Sequence, residues 1–239
     1  IQVAAINKIA EIEPQNIANI LNELWTTLST QAQQAFIYSI GKNSSSEGDK
    51  ILNTAFSSLL NGNLSKSLEL DVLVAAEKSK NPNLKKQLKK YEANQSATDS
   101  VSPYSSTLFG GDTEKGKHVY ENHVAAQCVR CHNAGGKDNQ VGPNLTGIGK
   151  RTDKNYLLRS LVDPSVDIAD GFNVNVIELT NGKSIIGRLK DQTKKIITLI
   201  SPEGKPQEIA ATKIKKITAA NTSVMPPMGA ILTNHEIRD

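Results

Sequence analysis

The sequence predicts a mainly α-helical chain with a small antiparallel β insertion. Three observations carry that expectation. Apolar residues recur at helical spacing over roughly the first ninety residues. A stretch rich in Ser, Thr and Pro without periodicity interrupts the chain near residue 100. Residues 172–217 fall into short apolar runs bounded by Asn-Gly and Pro-Glu-Gly turns. A length of 239 residues allows two domains, each with its own core. With 22% charged and 38% hydrophobic residues the composition is that of an ordinary soluble protein, and no apolar run approaches membrane-spanning length. Aromatics at 4% leave few rings for stacking on bases, and the net charge of +4 is not gathered into a basic stripe, so nucleic acid is not an expected partner.

Pro14 suits a first helical turn, and Ile17, Ile20, Leu21, Leu24, Trp25 and Leu28 then give one apolar face. Ala35, Phe36, Ile37 and Ile40 form a second face, stopped at Gly41. Residues 42–49 are a polar loop. Ile51, Leu52, Ala55, Phe56, Leu59 and Leu60 make a third face, closed by Asn61-Gly62. Leu68 to Ala76 is a fourth, ended by Asn81-Pro82, and Leu84, Leu88 and Tyr91 mark a fifth. Short helices on short loops suit stacked helical hairpins, so residues 1–95 are expected to be a HEAT-like helical scaffold, with a plain bundle as the alternative. Residues 96–110 are expected to be a linker and residues 111–239 a second domain, with a β-meander inserted at about 172–217.

The second domain opens with Asp112 as an N-cap. Gly116 and Tyr120 lie one turn apart on the helix that follows, a spacing that lets another helix cross closely. Then comes Cys128-Val129-Arg130-Cys131-His132, which holds the only two cysteines. Two thiols three residues apart suit covalent attachment to the two vinyl groups of one haem, with the adjacent His reaching the iron. A closed zinc site would need four ligands, and no second Cys pair exists. A thioredoxin-like pair would follow a strand, and no strand pattern precedes Cys128.

Pro143, in Gly142-Pro143-Asn144-Leu145, is placed to offer a carbonyl to the His132 Nδ1–H, leaving Nε2 for iron. Arg151 and Tyr156 are candidate partners for haem propionates, a surface Arg and a core Tyr being the plainer readings. Leu157, Leu158 and Leu161 mark a helix ending before Pro164. Val174 to Leu179 reads as a strand running into a type I′ hairpin at Asn181-Gly182, and four further strands follow to Ile217, a meander for which a partly closed barrel is one arrangement. The only two methionines, Met225 and Met228, sit in one Pro-rich loop. A thioether binds haem iron opposite His and raises its potential. Met225 is preferred as the ligand, with Met228 left open. Thr233 and Glu236 have capping-box spacing, announcing a helix that the sequence ends inside.

Together these residues resemble class I cytochromes c: the Gly116/Tyr120 helix, C-V-R-C-H, G-P-N-L and M-P-P. The arrangement is most similar to the planctomycete/verrucomicrobial-type haem-binding module found near the C-terminus of large secreted proteins. The shared stretches are A-A-Q-C-V-R-C-H, V-G-P-N-L-T-G-I-G, L-V-D-P-S, the N-G-K turn and M-P-P-M-G-x-x-L-T. In that family a HEAT-like region often precedes the cytochrome, and a propeller resembling quinoprotein sugar dehydrogenases often lies upstream of both. The resemblance implies one covalent haem c on Cys128 and Cys131, with His132 proximal and Met225 distal. It implies electron transfer rather than enzymatic turnover, a redox partner or fused dehydrogenase domain, and a periplasmic or otherwise extracytoplasmic location. This chain departs from the minimal pattern by the strand insert between His132 and Met225 and by its short final helix. It opens at Ile1, without an initiator Met, as a piece of a longer protein would. Two other functions compete: a haem-based sensor or peroxidase-like protein with a labile distal ligand, and a docking module in which the helices and meander do the work.

Overall fold

The computed structural model of the chain describes residues 1–43, 45–94, 99–135 and 141–239. It divides into two compact units, residues 1–114 with 234–239, and residues 115–233. Ser44 of the expected polar loop and residues 96–98 of the expected linker lie outside the described residues. Among the described residues no helix is long and apolar enough to cross a membrane.

The first unit is built from α1 (Gln2–Ile12), α2 (Ile17–Asn22), α3 (Thr30–Lys42), α4 (Ser46–Leu60), α5 (Glu69–Lys78) and α6 (Pro82–Asn94). The packing has two layers: α1 lies on α3 and α3 on α5, while α2 lies on α4 and α4 on α6. Phe36, Phe56, Ile17 and Leu84 are fully buried where the layers meet. Ser29 and Ser45 cap α3 and α4 by accepting from Ala32 N and Gly48 N, each satisfying an otherwise orphaned amide.

Several local expectations are corrected. The helix expected after Pro14 is shorter: α2 stops at Asn22, a 3-10 turn covers Trp25–Thr27, and Ile20 and Leu24 are exposed. Gly41 does not stop its helix. It lies inside α3, where a Cβ would come within 2.6 Å of the Ala75 Cβ, so the glycine permits the close α3–α5 crossing. Pro82 opens α6 rather than closing α5, using the one helical position where a missing N–H is harmless. Part of the expected linker is folded. Asp99 Oδ1 accepts from Val101 N and Ser102 N, a 3-10 run covers Ser102–Leu108, and Ser106 and Thr107 are buried. The polar side chains that suggested a solvated linker serve local backbone bonds instead. The C-terminal helix, Asn234–Arg238, also belongs to this unit. Arg238 donates to Asp71 at 2.8 Å, both side chains being buried, and Asp112 N donates to Asp239 Oδ1 at 3.2 Å.

The second unit takes up most of α7 (Thr113–Asn122), which Asp112 caps by accepting from Glu114 N at 3.1 Å. A 3-10 turn at Cys128–Arg130, α8 (Ile148–Arg151) and α9 (Lys154–Val162) follow. Asp153 caps α9 by accepting from Tyr156 N. Five antiparallel strands come next: β1 (Val174–Leu179), β2 (Ser184–Gln192), β3 (Ile196–Ile200), β4 (Pro206–Ala210) and β5 (Ile214–Ala220). Their order is β4-β3-β2-β1-β5. A three-residue 3-10 turn, Ala211–Lys213, leads from the end of β4 to the start of β5 on the far side of β1. So short a link requires the sheet to curl, and the turn is bonded on both sides, Ala211 N to Lys195 O and Thr180 N to Lys213 O. Ile177, Ile197, Leu199 and Ile209 form the core of this partly closed barrel.

The Asn181-Gly182 loop is not type I′, which needs positive φ at both residues. Only Gly182 has it, at +83°, and Gly182 N donates to Leu179 O, giving a type I turn followed by a left-handed glycine. Val174 at the start of β1 pairs with Ala220 at the end of β5. The barrel therefore returns the chain to the place where it left.

Candidate functional site

The Cys-His segment is shaped by what precedes it. At the end of α7, Gln127 N donates to His123 O and Ala126 N to His123 Nδ1. Gln127 then takes φ 48°, ψ 42°, the only non-glycine residue at positive φ among the described residues. That reversal starts the 3-10 turn carrying Cys128, and His132 N donates back to Cys128 O at 2.9 Å. Cys128 and Cys131 are half-buried and not joined by a disulfide. Burial pushes the Cys128 thiol above its ordinary pKa.

The Gly142–Leu145 loop is laid along this segment by three bonds. Gly142 N donates to Cys131 O at 2.9 Å, and Leu145 N to Asn133 O at 2.7 Å. Between them, His132 Nδ1 lies 2.9 Å from the Pro143 carbonyl. A carbonyl only accepts, so Nδ1 carries the proton and Nε2 keeps its lone pair for a metal. On the other side the Tyr120 hydroxyl donates to the His132 carbonyl at 2.9 Å. Burial raises the Tyr120 pKa, with the neighbouring Cys128 and Glu121 adding to it, so the phenol stays a donor at neutral pH.

Sequence reasoning used Tyr120 only for helix packing and Gly142 only as turn punctuation. Both touch the histidine. A Cβ at Gly142 would stand 2.8 Å from the Cys131 carbonyl oxygen, 2.8 Å from His132 Cε1 and 3.0 Å from Nδ1. The available signal was position: a glycine just before the proline whose carbonyl meets the ring.

Arg151 is drawn to the same loop, donating from Nη2 to Asn144 O at 3.2 Å. Tyr156 is half-buried on α9. The methionines separate. Met228 is buried, 4% exposed, in a 3-10 turn packed on α9. Met225 is half-buried on the preceding loop, where Met225 N donates to Ser223 Oγ and Ser223 N to Ser165 Oγ, both at 3.1 Å. The structure thus gathers Cys128, Cys131, His132, Pro143 and Arg151 around one loop pair and holds Met225 on a separate loop.

The residues fit a covalently held haem. Two free thiols sit on one turn beside a histidine whose tautomer is fixed. The described residues from 115 to 157 bury no apolar side chain, and Val124 and Val129 are exposed. Among the described residues no three His, Cys, Asp or Glu side chains are grouped for a metal ion.

Residues 113–193 match the family model for cytochrome c. The chain therefore contains a cytochrome c domain, with the covalent haem and electron transfer that such a domain implies. The match takes in both cysteines, His132, Pro143, Arg151 and Tyr156, and it ends before Met225. No curated protein matches the chain.

Proposed function

We propose that the chain carries one haem c bound to Cys128 and Cys131, with His132 and Met225 as axial ligands. In this reading it relays electrons from an upstream or partner dehydrogenase and performs no chemistry of its own on a substrate. The observation that carries the reading is the 2.9 Å His132 Nδ1–Pro143 carbonyl bond, which directs Nε2 outward from the Gly142–Leu145 loop. When bound, the haem supplies a one-electron couple, and the protein tunes it. Pro143 holds the imidazole through Nδ1, and Tyr120 holds the backbone carbonyl of His132. Burial of Met228 in the α9 packing supports Met225 as the thioether left to bind. Two filled axial positions would shut out oxygen and substrate. Arg151 and Tyr156 are assigned to the propionates. The two-layer packing of α1–α6 supports a stacked helical-hairpin scaffold, HEAT-like in character, that presents the haem unit. Covalent haem attachment of this kind supports a periplasmic or otherwise extracytoplasmic location.

The test is spectroscopic. The reduced protein should show a c-type α-band, and Met225→Ala should abolish the oxidised thioether-to-iron charge-transfer band. A Met225→Ala protein that keeps that band would overturn the distal assignment. Rapid carbon monoxide binding by the untreated ferrous protein would instead favour a sensor or peroxidase-like role.

A further inference from the structure

The barrel between His132 and Met225 offers no His or Cys side chain, so its contribution is mechanical. Its two ends differ. At the β1–β2 loop, a Cβ on Gly182 would meet nothing within 4 Å. The opposite end is packed. Gly204, at φ +79°, closes the Ser201–Gly204 turn, and a Cβ there would lie 2.8 Å from Val141 Cγ2. Val141, Arg188, Ile200 and Val224 line one crevice of about 10 Å³, room for no more than a single water. Arg188 is pinned there, its guanidinium 4.8 Å from the Phe172 ring centroid and Nη1 donating to Gly171 O at 3.2 Å. Val141 precedes Pro143 by two residues, and Val224 immediately precedes Met225. One rigid barrel end therefore reaches both the loop that fixes His132 and the loop that carries Met225. The Val174–Ala220 pairing makes this possible, because it brings the chain back beside its point of departure.

We propose that this barrel end is a positioning strut: Gly204 against Val141, and the Arg188–Ile200 edge beside Val224, set the Met225 loop relative to the His132 loop and so govern the strength of thioether ligation. The inference rests on the His132/Met225 reading. A strut between two ligand loops converts barrel packing into reduction potential, because weaker thioether ligation lowers the potential.

The test compares Gly204→Ala, Val141→Ala, their double variant and Gly182→Ala in the haem-loaded full chain. Gly204→Ala drives a methyl into Val141, and Val141→Ala removes what the turn rests on. Each should weaken the thioether-to-iron band and lower the reduction equilibrium about tenfold, which is about 59 mV for one electron. In the double variant the new methyl refills the vacated space, so potential and band should return towards the parent while the positive-φ strain at residue 204 persists. Hydrogen exchange at the Ser223 and Met225 amides should rise in the single variants and fall back in the double. Gly182→Ala imposes the same backbone strain on the free end and should leave potential and exchange unchanged. Additive or absent effects in the 204/141 pair, or an equal shift from Gly182→Ala, would overturn the strut. Met225→Ala separates the two claims. If it leaves the band in place, the ligand reading and the strut fall together. If it abolishes the band while the 204/141 pair shows no compensation, only the strut falls.

Discussion

The two units of this chain hold their folds by different means. Among the described residues the helical unit buries seventeen apolar side chains in one continuous cluster, from Ile6 to Leu88. In the second unit, the described residues from 115 to 157 bury none, and Leu158 on α9 is the first. Yet this poorly buried stretch is tied by backbone bonds on both sides of His132, from Gly142 N to Cys131 O and from Leu145 N to Asn133 O. Hydrophobic burial is the dominant stabilising force in most domains. A segment without it holds its shape through hydrogen bonds, a strained turn and whatever its cysteines bind. The helical unit is thus a self-sufficient solid, and the Cys-His segment is a frame built around a prosthetic group.

The sharpest way to break that contrast is to prevent haem attachment. In a Cys128→Ser/Cys131→Ser protein, amides of α7, the Cys-His turn and α8 should exchange with solvent at rates near those of an unstructured chain. The helical unit should keep its protection, and so should the barrel, which has a core of its own. Native-like protection across residues 115–157 in that protein would show that the frame stands alone.

A smaller effect tests the other side. Phe56 is fully buried and meets Tyr91 edge-on at 6.2 Å. Phe56→Ala should destabilise the helical unit by about 3–5 kcal/mol. Trp25, the single tryptophan, packs against Phe36 in that unit, so its fluorescence follows the loss. The haem absorbance transition should not move. A matched shift in both signals would mean that the units unfold as one, and the contrast would lose its thermodynamic meaning.

The same contrast explains what could be read from the sequence. Helical periodicity located the buried faces of α4 and α6, because residues such as Leu52, Phe56, Leu84 and Leu88 are buried for the reason the pattern assumes. It failed at Ile20, which lies on the solvent face of α2, and at Leu24, which lies beyond the end of that helix at Asn22. Glycines misled in both units. Gly41 looked like a stop and is a point of close helix contact, while Gly142 looked like punctuation and is the floor beneath the His132 ring. Gly62, at φ +71°, closes α4 as its position suggested. Whether a glycine serves backbone conformation or close approach depends on a partner distant in sequence, which local pattern does not contain. The Cys-x-x-Cys-His motif and Pro143 were legible because their chemistry is local: a carbonyl eleven residues on can meet the ring only if the loop folds back. The Val141–Gly204 contact was not, since it depends on the curl of the sheet.

The smallest expected effect sits at Gln127, directly before the first thiol. A left-handed conformation at a non-glycine residue costs about 1–2 kcal/mol. Gln127 recovers part of it, because its side chain donates to Val124 O at 2.9 Å and accepts from Arg130 at 2.6 Å, both at the surface. Gln127→Gly removes the strain but loosens the unfolded chain by about 0.5–1 kcal/mol, so the net gain should be no more than about 1 kcal/mol. Gln127→Val, β-branched at positive φ, should instead lose more than about 1 kcal/mol. Both shifts should be read in the denaturant transition of the haem absorbance, with Trp25 fluorescence unmoved. If Gln127→Val is neutral, the turn is not held in this conformation, and the Cys-His frame owes its shape to the bound group alone. If the opposite signs are found, the reversal at Gln127 is built into the chain before any haem arrives, and the frame is partly self-made even where it has no core.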